Sequence, residues 1–146
     1  MKKILVIEDD ELSAEALCEL LGLENYLPLK ARNGEEGLEK ARSEHPDLIL
    51  CDVMMPGMDG YSVLQKLRED ASTAAIPVIL LTALAERWNV RKGMETGADD
   101  YLAKPVFRSE LLAAIRTQLN KRKPSQPVQP GEGAKDKGAG PGSADR

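Results

Sequence analysis

Five short aliphatic runs, each followed by a stretch with helical spacing, constrain the fold of this chain more than any other feature. The runs cover residues 4–7, 27–31, 48–51, 78–81 and the weaker 101–103. Runs this short suit strands better than buried helices, whereas apolar residues three or four positions apart form one face of a helix. Strand–helix units in alternation predict an α/β fold, a doubly wound sandwich in which helices cover both faces of a parallel sheet.

The stretches between the runs carry the expected signals of helices. Each has apolar residues that fall on one helical face: Leu12, Ala16, Leu20 and Leu23; Leu38 and Ala41; Val63, Leu64 and Leu67; Val90 and Met94; and Leu111, Leu112, Ile115 and Leu119. Asn33 and Asp59 are candidate N-caps, and Gly97 is a candidate C-terminal stop. His45 precedes Pro46, which disfavours a helical backbone at His45 and predicts the end of the second helix there.

Length and composition predict one folded domain and a flexible tail. The chain has 146 residues, of which 42% are hydrophobic, enough for one core and too little for two. From residue 122 to residue 146 proline and glycine recur with almost nothing to bury. That composition is typical of flexible tails and linkers. We therefore predict a domain over residues 1–121 and a tail over residues 122–146.

Charge and hydropathy argue against several classes of protein. The formal net charge is −4, which disfavours direct binding to nucleic acid because that requires a basic surface. No apolar run reaches the roughly 18 residues of a membrane helix, and the N-terminus lacks the pattern of a signal peptide. Two cysteines, Cys18 and Cys51, make no disulfide framework. These observations predict a cytoplasmic protein without a membrane segment.

Chemically active side chains stand at the carboxyl ends of four predicted strands. The first run ends in Glu8 and Asp9, and the third ends in Asp52. The fourth ends in Thr82 and the fifth in Lys104. Open α/β sheets bind ligands beyond the carboxyl ends of their strands, and in the flavodoxin-like order 2-1-3-4-5 the first and third strands flank the switch point. We therefore expect the carboxylates to converge in one shallow pocket.

This set of side chains points to phosphoryl chemistry. Clustered carboxylates raise one another's pKa unless a cation lies between them, and their hard oxygens suit Mg²⁺. A lysine can neutralise a phosphoryl group, and a carboxylate can attack phosphorus in line. Singly, each residue has a simpler role: Asp9 or Asp10 as a helix cap, Asp52 in a turn, Thr82 as a cap, Lys104 on the surface. The complementary set on one edge favours the functional interpretation, with Asp52 as the nucleophile.

Four motifs carry a family resemblance. The segments "ILVIEDD", "DLILCDVMMPGMDG", "VILLTA" and "GADDYLAKP" resemble the receiver domain of two-component response regulators, of the CheY-like superfamily. The likeness runs from about residue 3 to 119, so that residues 1–121 would be the receiver, either stand-alone or without its output domain. The steps also fit the family: 43 residues from Asp9 to Asp52, 30 to Thr82 and 22 to Lys104.

The resemblance implies a role for each matching residue of the acidic pocket. Asp52 matches the acceptor of a phosphoryl group from a sensor histidine kinase or a histidine phosphotransfer protein. Glu8 and Asp9 match the acidic pair that holds Mg²⁺, with Asp52 and the backbone carbonyl of Met54 as further ligands. Lys104 matches the lysine that contacts the phosphoryl group.

The resemblance also implies a switch. Thr82 matches the hydroxyl that moves toward the phosphoryl group, and Tyr101 the aromatic side chain that turns in response. Pro105 matches a proline that usually follows a cis peptide bond. The surface of the fourth helix, the fifth strand and the fifth helix would then change its affinity for a downstream protein. Monomer and phosphorylation-linked homodimer both fit this implication.

Competing interpretations belong to other classes. The family implies a phosphoacceptor that assists only its own phosphorylation and dephosphorylation, not a turnover enzyme. An aspartate-nucleophile phosphatase would typically carry a second aspartate where this chain has Met54. A flavin carrier would need an anion-binding loop after the first strand, where the acids from Glu8 to Glu11 would repel phosphate. A phosphorylation-independent binding module on the same fold stays open as the alternative.

Overall fold

The computed structural model describes residues 1–83 and 97–121, which form five strands and four helices. In chain order these are β1 Lys3–Ile7, α1 Glu11–Leu23, β2 Leu27–Ala31, α2 Gly34–Glu44, β3 Leu48–Asp52, α3 Gly60–Glu69, β4 Val78–Ala83, β5 Asp100–Lys104 and α4 Arg108–Lys121. The helix predicted around Val90 and Met94 and the tail predicted over 122–146 lie outside these residues. None of the helices described has the length and apolar character to cross a membrane.

The strands form one parallel sheet in the order β2-β1-β3-β4-β5, which confirms the predicted flavodoxin-like architecture. The strands β1 and β3 lie side by side, with Ile7 opposite Cys51. Strand order reverses at this pair, because β2 lies on one side of it and β4 and β5 lie on the other. Crossovers leave the sheet in opposite directions here, so the carboxyl ends of β1 and β3 open into a crevice.

Two hydrophobic clusters cover the two faces of the sheet. Alternate residues of a strand point to opposite faces, and Leu5 and Ile7 pack with α2 and α3 on one side. Ile4 and Val6 pack with α1 and α4 on the other. All four side chains are fully buried, as expected for a parallel strand with helices on both faces. Burial on both faces fixes the position of β1 in the sheet, and therefore the position of the acids that follow it.

Helix ends follow the predicted signals. Asn33 and Asp59 cap α2 and α3, and Asp10 caps α1; each side chain accepts a hydrogen bond from the backbone N–H three residues on. His45 ends α2 with a left-handed backbone, φ 51°. Gly97 also has a positive φ of 107°, although the helix that it was predicted to end lies outside the described residues. Because Asp10 is the cap of α1, Asp9 is left for another role.

The face of α1 was predicted wrongly. Leu12 and Leu23 of the predicted apolar face are 78% and 68% exposed, and of that face only Leu20 packs against the core. The residues that α1 turns inward lie on a neighbouring face: Ala14, Leu17, Cys18 and Leu21. Two apolar stripes with the same spacing coexist on this helix, so periodicity alone could not choose between them, and packing against the sheet decides.

Candidate functional site

The fold brings the predicted side chains to one edge of the sheet. Glu8 and Asp9 follow β1 directly, and Asp52 is the last residue of β3. Asp52 lies opposite Leu81, so Thr82 is one position further along β4. Lys104 ends β5 opposite Ala83. Four strands therefore deliver three carboxylates, a hydroxyl and an ammonium group to the same end.

Three carboxylates form a tight cluster in the crevice between β1 and β3. One oxygen from each of Glu8, Asp9 and Asp52 lies within 4.8 Å of the others. Glu8 and Asp52 are only 3% and 5% exposed, whereas Asp9 is exposed to solvent. The cluster is thus buried at its base and open at the side of Asp9.

Lys104 bridges the two buried acids. Its Nζ lies 2.9 Å from Oδ1 of Asp52 and 3.3 Å from Oε1 of Glu8. The second oxygen of Glu8 accepts a hydrogen bond from the backbone N–H of Asp10 at 3.1 Å. Glu8 is therefore held at both oxygens by the chain itself, and Lys104 fixes the orientation of the Asp52 carboxylate.

Burial dominates the electrostatics of the site. It raises the pKa of Asp52, and the charge of Asp9 adds to that rise, while the hydrogen bond and charge of Lys104 oppose it. Burial likewise raises the pKa of Glu8 against the hydrogen bond from Asp10. For Lys104, burial lowers the pKa, but the hydrogen bond and charge of Asp52 and the charge of Glu8 together raise it further. The ammonium thus stays charged, and among the described residues the acidic groups of the cluster outnumber it three to one.

This excess makes the cluster suited to a divalent cation. One ammonium group faces three carboxylates within the described part of the chain. Carboxylate oxygens are hard ligands, and Mg²⁺ commonly takes one or two of them together with waters and a phosphate oxygen. The donor set therefore fits the metal that the sequence implied.

The loop after β3 carries Met54, whose carbonyl is the remaining predicted metal ligand. Its side chain is 59% exposed, so it does not pack into the crevice. The start of the loop is tied down on both sides: the N–H of Val53 donates to the carbonyl of Leu81, and the N–H of Gly60 donates to the carbonyl of Val53, both at 2.9 Å. The backbone at Met54 thus follows a firmly anchored residue.

The two predicted switch residues lie on neighbouring strands. Thr82 is 1% exposed, and its hydroxyl donates to the carbonyl of Ala83 at 3.4 Å. Tyr101 is partly buried against the core on the α2 and α3 side, opposite Leu80. Pro105 follows a cis peptide bond. Thr82 is therefore at the site edge, whereas Tyr101 lies lower on the adjacent strand.

Comparison with known proteins identifies the family. The model of the response regulator receiver domain matches residues 4–116. The chain belongs to this family. A receiver is the phosphorylation-controlled part of a two-component signalling system, so the interpretation of the motifs is confirmed at this level.

Three relatives illustrate the range of the family. A protein named as a transcriptional regulator, ycf27 of Cyanophora paradoxa, is 46% identical over 121 residues, 82% of this chain and 49% of that protein. PilH of Pseudomonas aeruginosa is 39% identical over 119 residues, 82% of this chain and 98% of that protein. The receiver domain of a sensor histidine kinase from Pseudomonas aeruginosa, with magnesium coordinated in its active-site cleft, superimposes with a TM-score of 0.75 at 28% identity and covers 82% of this chain and 98% of its own. The receiver thus spans about half of ycf27 and nearly all of PilH.

Sequence reasoning overlooked one residue beside the site. Gly60 opens α3 directly behind the backbone of Asp52. Glycine is a poor helix former, so its place immediately after the cap Asp59 was a signal that something close by excludes a side chain.

Proposed function

We propose that this receiver is switched when Asp52 accepts a phosphoryl group from the phosphohistidine of a sensor histidine kinase or histidine phosphotransfer protein. The observation that carries the proposal is the contact of Lys104 with both Asp52 and Glu8 inside the acidic cluster. This arrangement supplies a nucleophile, a fixed positive charge and a set of metal ligands in one crevice. The Mg²⁺-bearing receiver domain with the same fold supports it.

The chemical step follows from these positions. A carboxylate oxygen of Asp52 attacks phosphorus in line, the bond from phosphorus to the imidazole nitrogen breaks, and its electron pair returns to the imidazole. The ammonium of Lys104 offsets the charge on the phosphoryl oxygens. A Mg²⁺ ion held by Glu8, Asp9, Asp52 and the carbonyl of Met54 would neutralise further charge on those oxygens.

The product is an acyl phosphate that acts as a signal. It adds negative charge and acceptor oxygens at the end of β3, within reach of the strand that carries Thr82. Movement of Thr82 toward these oxygens would free space for Tyr101 and alter the surface of the predicted fourth helix, β5 and the predicted fifth helix, which is α4. This change would alter the affinity for a downstream protein or a second copy. The chain acts in this scheme as a phosphoacceptor and not as an enzyme that turns over external substrates.

Intact-protein mass after incubation with acetyl phosphate tests the proposal. We expect one phosphoryl adduct that requires Mg²⁺ and is lost in Asp52→Ala. Glu19→Gln, which removes an exposed acid of α1 away from the cluster, is the matched control and should form the adduct normally. Folded protein that forms no adduct with acetyl phosphate or with any of a panel of phosphorylated kinases would contradict the proposal and favour the phosphorylation-independent binding module.

A further inference from the structure

Gly60 lies where no side chain fits. It is the first residue of α3, after the cap Asp59. A Cβ atom at this position would lie 2.5 Å from the carbonyl oxygen of Asp52 and 2.8 Å from Cα of Val53. Both are backbone atoms, so no rotamer change could relieve the overlap, and either the helix or the end of β3 would have to move.

The end of β3 and the start of α3 are joined by more than this contact. The N–H of Gly60 donates to the carbonyl of Val53, and the N–H of Val53 donates to the carbonyl of Leu81 on β4, both at 2.9 Å. Val53 is 1% exposed. A shift of α3 would therefore be transmitted to the residue between Asp52 and Met54.

We propose that Gly60 is a positioning residue for the phosphoryl and metal site, because its missing side chain lets α3 lie against the Asp52 backbone and so sets where the acceptor carboxylate and the Met54 carbonyl stand. This inference rests on the proposed function. It assigns to the first turn of α3 a part in the chemistry without any contact with the phosphoryl group. Catalytic geometry is sensitive at this scale, since a misplacement of about 1 Å can cost roughly a hundredfold in rate.

Gly34 provides a matched comparison. It is also buried and also the first residue of a helix, α2, directly after a cap. A Cβ at Gly34 would lie 2.8 Å from Cγ2 of Val63 and 3.0 Å from Sδ of Met58. These atoms belong to side chains and not to the backbone of β3, so the flexible end of Met58 can relieve part of the overlap without moving Asp52. Alanine would improve helix propensity equally at both positions, so the two variants differ mainly in what the new methyl group displaces.

The experiment compares wild type, Gly60→Ala and Gly34→Ala as complete chains. Urea unfolding gives the stability of each, calorimetric titration with Mg²⁺ gives the Kd, and intact mass with acetyl phosphate gives the rate of adduct formation. We expect Gly60→Ala to weaken Mg²⁺ binding by about tenfold and to slow phosphorylation by up to about a hundredfold. Gly34→Ala should lose stability while its Kd and rate stay near those of wild type.

The outcomes separate the inference from the proposed function. Equal Kd and equal rate in Gly60→Ala and wild type would overturn the inference alone. A wild-type protein without a Mg²⁺-dependent adduct would overturn the proposed function, and the inference with it. A loss of Mg²⁺ affinity of the same size in Gly34→Ala would also overturn the inference, because the effect would then be general loosening.

A second measurement on wild type decides the matter if Gly60→Ala does not fold. Amide hydrogen exchange at Gly60 and Gly34 is followed with and without saturating Mg²⁺. If α3 and the metal-binding loop move as one unit, Mg²⁺ should slow exchange at Gly60 several-fold more than at Gly34. Equal effects at the two glycines would overturn the inference.

Discussion

The two ends of the sheet each hold a half-buried cation, and the two cations differ in how many carboxylates surround them. At the amino ends of the strands, Arg68 of α3 faces one carboxylate, that of Asp99, at 2.8 Å. Its remaining donors reach neutral backbone carbonyls, those of Gly97, Ala74 and Ile76. At the carboxyl ends, Lys104 faces a cluster of three carboxylates. Among the described residues, the Arg68–Asp99 pair is balanced in charge (the balanced end), whereas the cluster around Lys104 has more carboxylates than cations (the surplus end).

The Arg68–Asp99 pair at the balanced end holds several secondary-structure elements together. The same oxygen of Asp99 that meets Arg68 accepts a hydrogen bond from the N–H of Val78 at 2.8 Å. The carbonyl of Asp99 accepts another from the side chain of Gln118 on α4 at 3.3 Å. One ion pair thus ties together α3, the start of β4, the approach to β5, and α4. Charge-assisted hydrogen bonds of this kind are among the stronger ones in proteins.

The surplus end has the arrangement of charges that the proposed phosphoryl and metal site requires. Burial raises the pKa of Asp52 and of Glu8, which shows that their charged forms are not fully compensated by Lys104. Perturbed pKa values are common at functional sites, where a ligand can supply the interaction that the protein leaves out. The difference between the two ends teaches that this fold gives a structural carboxylate, Asp99, a cation of its own, whereas three carboxylates at the proposed site share one ammonium group among the described residues.

The largest effect is expected from breaking the balanced end. Arg68→Met should lower the free energy of unfolding by about 3 kcal/mol, because it leaves three carbonyls without their side-chain donor and the Asp99 carboxylate without its cation. Urea unfolding measures this loss. Arg42→Met, which removes an exposed ion pair with Asp70, is the control and should cost no more than about 0.5 kcal/mol. Similar losses of unfolding free energy in the two variants would mean that Arg68 does not hold these elements together.

Binding of Mg²⁺ at the surplus end should raise the free energy of unfolding by nearly as much as Arg68→Met lowers it. Mg²⁺ at a hundred times its Kd should raise the free energy of unfolding by about 2.7 kcal/mol, since the ion binds the folded state and not the unfolded chain. Asp52→Asn should lose most of this gain, whereas Arg68→Met should retain it. A gain of the same size in Asp52→Asn, measured by thermal unfolding with and without Mg²⁺, would place the ion elsewhere.

Removing one of the crowded charges should stabilise the metal-free protein. Asp52→Asn keeps the shape of the side chain and removes a buried charge that Lys104 offsets only in part, so we expect a higher free energy of unfolding at neutral pH. Asp99→Asn at the balanced end should do the opposite and destabilise. Unfolding in urea with a chelator present checks both signs, and the comparison fails if the two variants change stability in the same direction.

The smallest expected effect is the pH dependence of the stability that Asp52→Asn gains over wild type. The pKa of Asp52 is raised in the folded state, so the folded protein holds this proton more tightly than the unfolded chain does. The stability that this tighter proton binding contributes is therefore fully present below the ordinary pKa of an aspartate. It is lost as pH rises through the raised pKa of Asp52. The advantage of Asp52→Asn over wild type should shrink as pH falls through this window. An advantage that grows toward low pH would contradict the direction of the shift.

Local and periodic features of this protein were readable from the sequence. Short aliphatic runs predicted the five strands of the described residues. The caps Asn33 and Asp59 were also predictable, because a capping side chain accepts its hydrogen bond from a backbone N–H only three residues along the chain. The site edge was also predictable, because parallel strands place their carboxyl ends together, and Glu8, Asp52 and Lys104 follow directly from that rule.

Tertiary structure decided whatever depends on contacts between distant segments. It turned α1 so that Leu12 and Leu23 face solvent, joined Arg68 to Asp99 across 31 residues, and brought Gly60 against the backbone of Asp52. A sequence carries propensity and periodicity, which are short-ranged, whereas these contacts depend on how helices seat on the sheet. The sequence therefore determined which side chains reach the site, and the packing determined how they are held there.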